Sequence, residues 1–281
     1  MAHEGRERKS PISYAILSAL VVVFIAPILF VLMNSFKGKF FISDMPFQFP
    51  TEQTYVAFAN YTTGIAKTGF FTAFGCSLFI TVFSVLGILL FTSMTSWYIT
   101  RVKTKLTSAI YYMFVFSMIV PFQMIMFTMS KLADTLNLNT PIGLVVLYVG
   151  FGAGMSVFMF CGFIKSIPLE IEEAAMIDGC TPLVTFFQIV FPILKPTAIT
   201  IAILNAMWIW NDYLLPYLVI GVSTEYKTIP VVVQYLMGSY GDKDMGALMA
   251  LLVLSIIPIV IFYIFCQKYI IEGVVAGAVK G

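Results

Sequence analysis

The chain has 281 residues, of which 60% are hydrophobic and only 11% charged, against roughly 45–50% and about 25% in an average soluble domain. Sixteen Lys and Arg against fourteen Asp and Glu leave a formal charge of +2, and the mean hydropathy is +0.95. That balance fits neither a basic nucleic-acid-binding surface nor an acidic disordered tail, and it makes a bilayer rather than water the principal solvent.

The chain opens with a basic tail over 1–11, read as cytoplasmic, followed by 27 uncharged residues between Lys9 and Lys37. These predict a first transmembrane helix over 12–36. Its apolar length exceeds the 7–15 residues of a secretory signal, so it is read as a retained helix. The segment 37–69, with Pro46, Pro50 and several aromatics, is an outer segment that sets the first helix apart from a core over 70–270. Further uncharged gaps run 33 residues from Lys67 to Arg101, 25 from Lys105 to Lys131, 30 from Asp134 to Lys165 and 23 from Asp244 to Lys268. Each exceeds the roughly 20 residues that a helix needs to cross the hydrocarbon layer. One more crossing, a tilted helix from about 190 to 215, has Lys195 at its end reaching the interface and Pro192 and Pro196 bending its start. The run from Tyr213 to Thr224 is too short to cross again and is read as an outer extension or re-entrant piece. The expectation is an all-α polytopic protein with six transmembrane helices.

Ten basic residues (Arg6, Arg8, Lys9, Arg101, Lys103, Lys105, Lys165, Lys195, Lys268 and Lys280) then share one side with both termini, against six on the other. The bias puts the N and C termini in the cytoplasm. Cys76, Cys161, Cys180 and Cys266 are scattered and read as small buried hydrophobes. His3 is the only histidine, so a histidine triad or zinc site has no material here, and no metal or other cofactor is expected in this chain.

The cytoplasmic segment between the fourth and fifth spans carries the strongest local signals. Pro168 suits a first helical turn, Glu170, Glu172 and Glu173 follow where the helix dipole favours negative charge, Ala174 and Ala175 propagate, and Gly179 can close the helix in a left-handed conformation. A short acidic helix over 168–179 results. It is either a solvated connector or a docking knob whose carboxylates meet arginines on a partner. On the fifth span and its outer end, Asn205, Trp208, Asn211 and Asp212 could line a sugar path, with Trp stacking on a sugar face. The same types also serve as interface anchors and structural hydrogen-bonding groups. Glycines 150, 152, 154 and 162 suggest close helix packing on the fourth span.

Glu173-Ala174-Ala175, three residues, Gly179, nine residues and Ile189-Val190-Phe191-Pro192 resemble the EAA signature of permease subunits of binding-protein-dependent ABC importers, with Phe191 in place of the usual leucine. Trp210-Asn211-Asp212-Tyr213-Leu214-Leu215-Pro216 and the ending from Gln267 to Gly281 resemble the carbohydrate branch, similar to the smaller maltose-type permease subunits. The resemblance covers most of the chain beyond residue 65. It implies the type I ABC importer permease fold and a coupling role toward a cytoplasmic ATPase for Glu172, Glu173, Ala174, Ala175, Asp178 and Gly179. It also implies that the C-terminal tail over 271–281, with Ala276, Gly277 and Lys280, reaches that ATPase. The partners implied are a second homologous permease subunit, two ATPase (nucleotide-binding) subunits, an extracytoplasmic sugar-binding protein, a sugar substrate, with oligosaccharide the class the resemblance leads one to expect, and the lipid bilayer of a bacterial cell membrane, with no nucleic acid.

No G-x-x-x-x-G-K-[ST] phosphate loop occurs in the sequence, so ATP and Mg are expected on the partner ATPase subunits and the chain is read as non-catalytic. The competing class is an ion-gradient-driven secondary transporter. Ionisable residues near mid-membrane would be its mark, and spans one to four and six have none in their interiors. An intramembrane enzyme is disfavoured by the absence of paired carboxylates within spans.

Overall fold

The computed structural model describes residues 11–221, 224–237 and 244–278, with side chains up to residue 269. In chain order the helices are α1 (Pro11–Asn34), α2 (Lys39–Asp44), α3 (Ala59–Thr68), α4 (Phe70–Arg101), α5 (Lys105–Ser117), α6 (Phe122–Thr135), α7 (Pro141–Ile164), α8 (Leu169–Ile177), α9 (Pro182–Thr185), α10 (Phe191–Ile193), α11 (Lys195–Asn211), α12 (Leu214–Pro216), α13 (Ile229–Tyr235) and α14 (Met245–Ala278). A wider π-type turn, Phe186–Val190, joins α9 to α10, and a second, Tyr217–Gly221, extends α12. Among the described residues there are no strands, only an isolated antiparallel bridge between Lys37 and Tyr55.

Four helices, α1, α4, α7 and α14, are long and apolar enough to cross a bilayer, and the number rises to six if each of two bent pairs is one span. The all-helical expectation therefore holds, with two of its spans differently built. The stretch from Lys105 to Lys131 is not one straight crossing: α5 and α6 meet at 106°. Pro121 caps α6, and a proline both lacks the N–H that would continue α5 and pushes the preceding residue out of the helical region. Counting uncharged residues is blind to that break. The helix expected from about 190 to 215 is α11, Lys195–Asn211, set at 75° to the Pro182–Ile193 stretch. Lys195 stands exposed at its start, as the sequence suggested.

The chain divides into two compact units: Met1–Phe70 with Val233–Ile257, and Phe71–Val232 with Pro258–Gly281. In the first unit almost all of α1 is exposed, as suits a helix facing lipid or another chain. Beyond its end, Asn60 of α3 donates to the carbonyls of Ser35 (2.8 Å) and Lys37 (2.7 Å). Lys37 is buried, its Nζ donating to the Met45 carbonyl at 2.8 Å, and burial lowers its pKa below the usual lysine value. α3 lies close to the first half of α14. A Cβ on Gly64 would stand 3.1 Å from Leu251 Cγ, and one on Gly246 would overlap the Asn60 carboxamide. Lys67 pairs with Asp244, whose Oδ1 accepts from the Ala247 N–H (3.1 Å) and so caps α14.

The second unit is built around α7. Thr140 caps it by accepting from the Gly143 N–H (3.0 Å), with Pro141 in its first turn. At Gly143 any Cβ would run into the Leu138 carbonyl. Gly154 meets α5, where a Cβ would lie 2.6 Å from Ser117 Oγ, and Gly152 meets α4 and α11 at Ile88 and Asn205. Gly150 and Gly162 face open space, so only two of the four glycines on this span provide close helix packing. Ile88, Leu144, Tyr148, Phe160, Ile164, Phe186, Val190 and Leu194 are fully buried in the same cluster. Of the far half of the EAA-like signature, Val190 is thus core, Ile189 and Phe191 are half-buried and Pro192 is exposed.

Candidate functional site

α8 is the acidic helix expected from the sequence. Pro168 is its N-cap rather than an internal residue, and Glu170 and Glu172 lie in its first turn. At the other end Gly179 has φ +84°. Its N–H donates to the Met176 carbonyl (3.1 Å) and the Cys180 N–H to the Ala175 carbonyl (3.0 Å), which is a Schellman closure. The six residues expected to meet an ATPase divide by helix face. Glu173, Ala174, Asp178 and Gly179 are exposed, whereas Glu172 and Ala175 are buried. That corrects the expectation for these two: three residues apart, they share the face turned into this chain. Exposed beside the outward four are Met176, Ile177, Leu183 and Phe187, an apolar patch with the composition of a protein-binding surface.

Glu172 is held by α4. Its Oε2 accepts from Trp97 Nε1 at 2.8 Å, and its Oε1 from Arg101 Nε at 2.9 Å and from a terminal guanidinium nitrogen at 2.6 Å. The same terminal nitrogen donates to the Ile167 carbonyl at 3.1 Å. Trp97 also packs against Phe186, with ring centroids 5.4 Å apart. Neither Trp97 nor Arg101 stood out as a partner in the sequence. The available signal was an arginine in a short loop that has no acidic residue of its own.

At the other end of α7, Tyr148 donates from its hydroxyl to Asp212 Oδ2 (3.0 Å), and the Leu214 N–H donates to Asp212 Oδ1 (3.0 Å). Asp212 therefore turns the chain from α11 into α12. Asn205 is 1% exposed, and its Nδ2 donates to the Ile201 carbonyl (2.9 Å) and to Ser156 Oγ (3.4 Å). Asn205 fastens α11 to α7 and, being buried, is not free for a sugar, contrary to the expectation, whereas the half-buried Asp212 fixes a turn. Trp208 and Asn211 are exposed; Trp208 stands edge-on to Tyr148.

A cavity of about 280 Å³ lies between α4, α11 and the later part of α14, lined by Leu78, Val85, Ala206, Trp210 and Phe262 among others. Thr81 is its one hydroxyl, buried with no partner. A sugar needs many more donors and acceptors than that. Among the described residues no group of His, Cys, Asp and Glu is arranged to hold a metal. Ala276 and Gly277 fall in the last turns of α14, where only the backbone is described, and Lys280 lies outside the described residues.

The probable starch degradation products transport system permease protein AmyC of Thermoanaerobacterium thermosulfurigenes is 40% identical over 261 residues, 93% of each chain. The multiple sugar-binding transport system permease protein MsmG of Streptococcus mutans is 34% identical over 270 residues, 95% of this chain and 96% of that one. Among solved structures, a bacterial ABC transporter involved in the import of the acidic polysaccharide alginate has a chain with a TM-score of 0.76 at 21% identity, covering 92% of this chain and 95% of that one. The family described as binding-protein-dependent transport system inner membrane component matches residues 93–275, a stretch that holds α8, the Arg101–Glu172 pair and the Asp212 turn. This chain belongs to that family and is an ABC importer permease by fold.

Proposed function

We propose that the chain is one of two transmembrane subunits of an ATP-driven importer of oligosaccharides, and that α8 lies in the cytoplasm and docks on a partner ATPase. The observation that carries this reading is the outward face of α8: two carboxylates, a small residue and a glycine beside exposed Met176 and Ile177, on a helix that joins two spans. A solvated connector has no use for exposed isoleucine, whereas a protein groove does. The names of two carbohydrate permeases to which this chain is similar support the substrate class. Hydrolysis takes place on the ATPase pair, and this chain converts its closure into a switch between inward and outward opening. A second, similar permease completes the path, to which Trp208 and Asn211 are this chain's contribution, and an extracytoplasmic binding protein delivers the sugar. The tail ending in Lys280 contacts the ATPase pair.

Glu173→Arg and Gly179→Pro test the docking. Proline cannot adopt a positive φ, so Gly179→Pro disrupts the end of α8. In proteoliposomes holding the whole transporter, both variants are expected to insert normally and to lose either ATPase assembly or sugar uptake driven by ATP. Normal uptake by both would end the docking reading. A cysteine placed at Lys103 is expected to react only with reagents supplied on the ATPase side.

A further inference from the structure

Arg101 and Trp97 lie one turn apart on α4, so their side chains leave the same helical face. Together they hold the start of α8 at three points: Trp97 on one carboxylate oxygen of Glu172, Arg101 on the other, and Arg101 again on the Ile167 carbonyl just before the helix. Three points out of line fix orientation as well as position. The guanidinium fork is planar and directional, so it resists rotation where an ammonium would swivel. The carboxylate is 3% exposed and the arginine side chain 19%, which leaves little water to screen or replace the contacts. Beyond α8, Phe186 packs on the Trp97 ring, so the segments on both sides of the helix touch the same end of α4, Ile167 at Arg101 and Phe186 at Trp97.

We infer that Trp97, Arg101 and Glu172 form a rigid joint through which displacement of α8 is delivered to α4, in addition to α7, the span covalently next to it. This rests on the reading of α8 as the docking helix. The three are positioning residues: they touch no substrate, and they determine which span receives the stroke. With 32 residues, α4 is about 48 Å long at 1.5 Å per residue, long enough to carry motion from one membrane face to the other. Without the joint, the Ser166–Pro168 linker would flex and absorb the movement.

The test replaces both charges at once, Arg101→Gln with Glu172→Gln, because removing one alone leaves a buried charge unpaired. Reconstituted with its partner permease, ATPase pair and binding protein, this variant is expected to assemble and hydrolyse ATP while sugar imported per ATP falls at least tenfold. In a chain whose native cysteines are alanine, Arg101→Cys joined to Glu172→Cys by a short bifunctional thiol reagent is expected to restore the ratio, and reduction to abolish it again. A merely structural contact would not change the sugar-to-ATP ratio of an assembled complex. An unchanged ratio in the doubly neutral variant, or arrest of transport by the cross-link, overturns the joint. If the neutral variant does not assemble, the cross-linked pair decides alone. Glu173→Arg in the same assay separates the two readings: coupling lost there but kept in the doubly neutral variant condemns only the joint, and coupling kept in Glu173→Arg condemns the docking on which it rests.

Discussion

Two polar knots lie toward opposite ends of α7, one at Tyr148 within it and one beyond Ile164, and they differ in kind. At Tyr148 a neutral hydroxyl meets Asp212, and the carboxylate spends its other oxygen on the Leu214 N–H two residues away. Beyond Ile164 an ion pair with an added indole N–H joins residues 71 positions apart and catches a backbone carbonyl as well. The first knot ties the turn between α11 and α12 to α7, 64 positions away, by a single hydroxyl, and its loss should be felt mainly at that turn. The second binds a short helix to a long span that is remote in sequence, and its loss should be felt as a mechanical failure. A hydrogen bond in a membrane protein fixes shape, and what it does for function depends on whether the two parts it joins would otherwise move separately.

The largest effect is expected from opening the second knot on one side. Glu172→Ala leaves Arg101 and the Trp97 N–H facing a buried gap, and loss of one partner of a buried ion pair costs about 3–5 kcal/mol. Thermal unfolding of the assembled transporter in detergent should show a clear downward shift, and the doubly neutral Arg101→Gln with Glu172→Gln should recover much of it. If the single and double variants were equally destabilised, the pair would be acting as packing and not as charge. Tyr148→Phe at the first knot removes one hydrogen bond to a carboxylate that keeps its backbone partner, an effect of about 1.5–3 kcal/mol. There the same melting experiment should move less, and sugar imported per ATP should be unchanged. A coupling defect in Tyr148→Phe would erase the distinction between the two ends.

The sequence made α8 legible because its signals are local: a proline at one end, acidic residues in the first turn, a glycine in the left-handed region at the other. Which of its faces meets this chain was not legible, since that depends on Arg101, which lies in another span and has no spacing relation to Glu172. The same gap separates Asp212 from Tyr148. Asn205 was misread for a related reason. An amide within an apolar helix can face a water-filled path or another helix, and only the packing against Gly152 and Ser156 decides between them. The broken α5–α6 pair hung on Pro121, which is visible in the sequence but carries no weight in a count of charges.

The smallest expected effect lies in the other unit and serves as a control, because the lysine of its ion pair is half exposed. Burial pushes the Asp244 carboxyl up, but the hydrogen bond from Lys67, that from the Ala247 N–H, and the Lys67 and Lys39 charges together bring it below the usual value. A carboxylate depressed on folding contributes stability that is complete above the unfolded value of about 3.9 and disappears as pH falls through the lower folded value. The Lys67 side chain is 50% exposed, so solvent screens the pair and its worth is about 0.2–1 kcal/mol. Lys67→Met should therefore melt slightly lower than the parent at pH 7 and low salt, and the difference should close both with added salt and as the pH is taken below the carboxylate range. A gap that survived acid and salt alike would mean that the lysine stem packs against its neighbours and that its charge contributes nothing. The Arg101–Glu172 pair, being buried, should by contrast keep most of its effect in high salt.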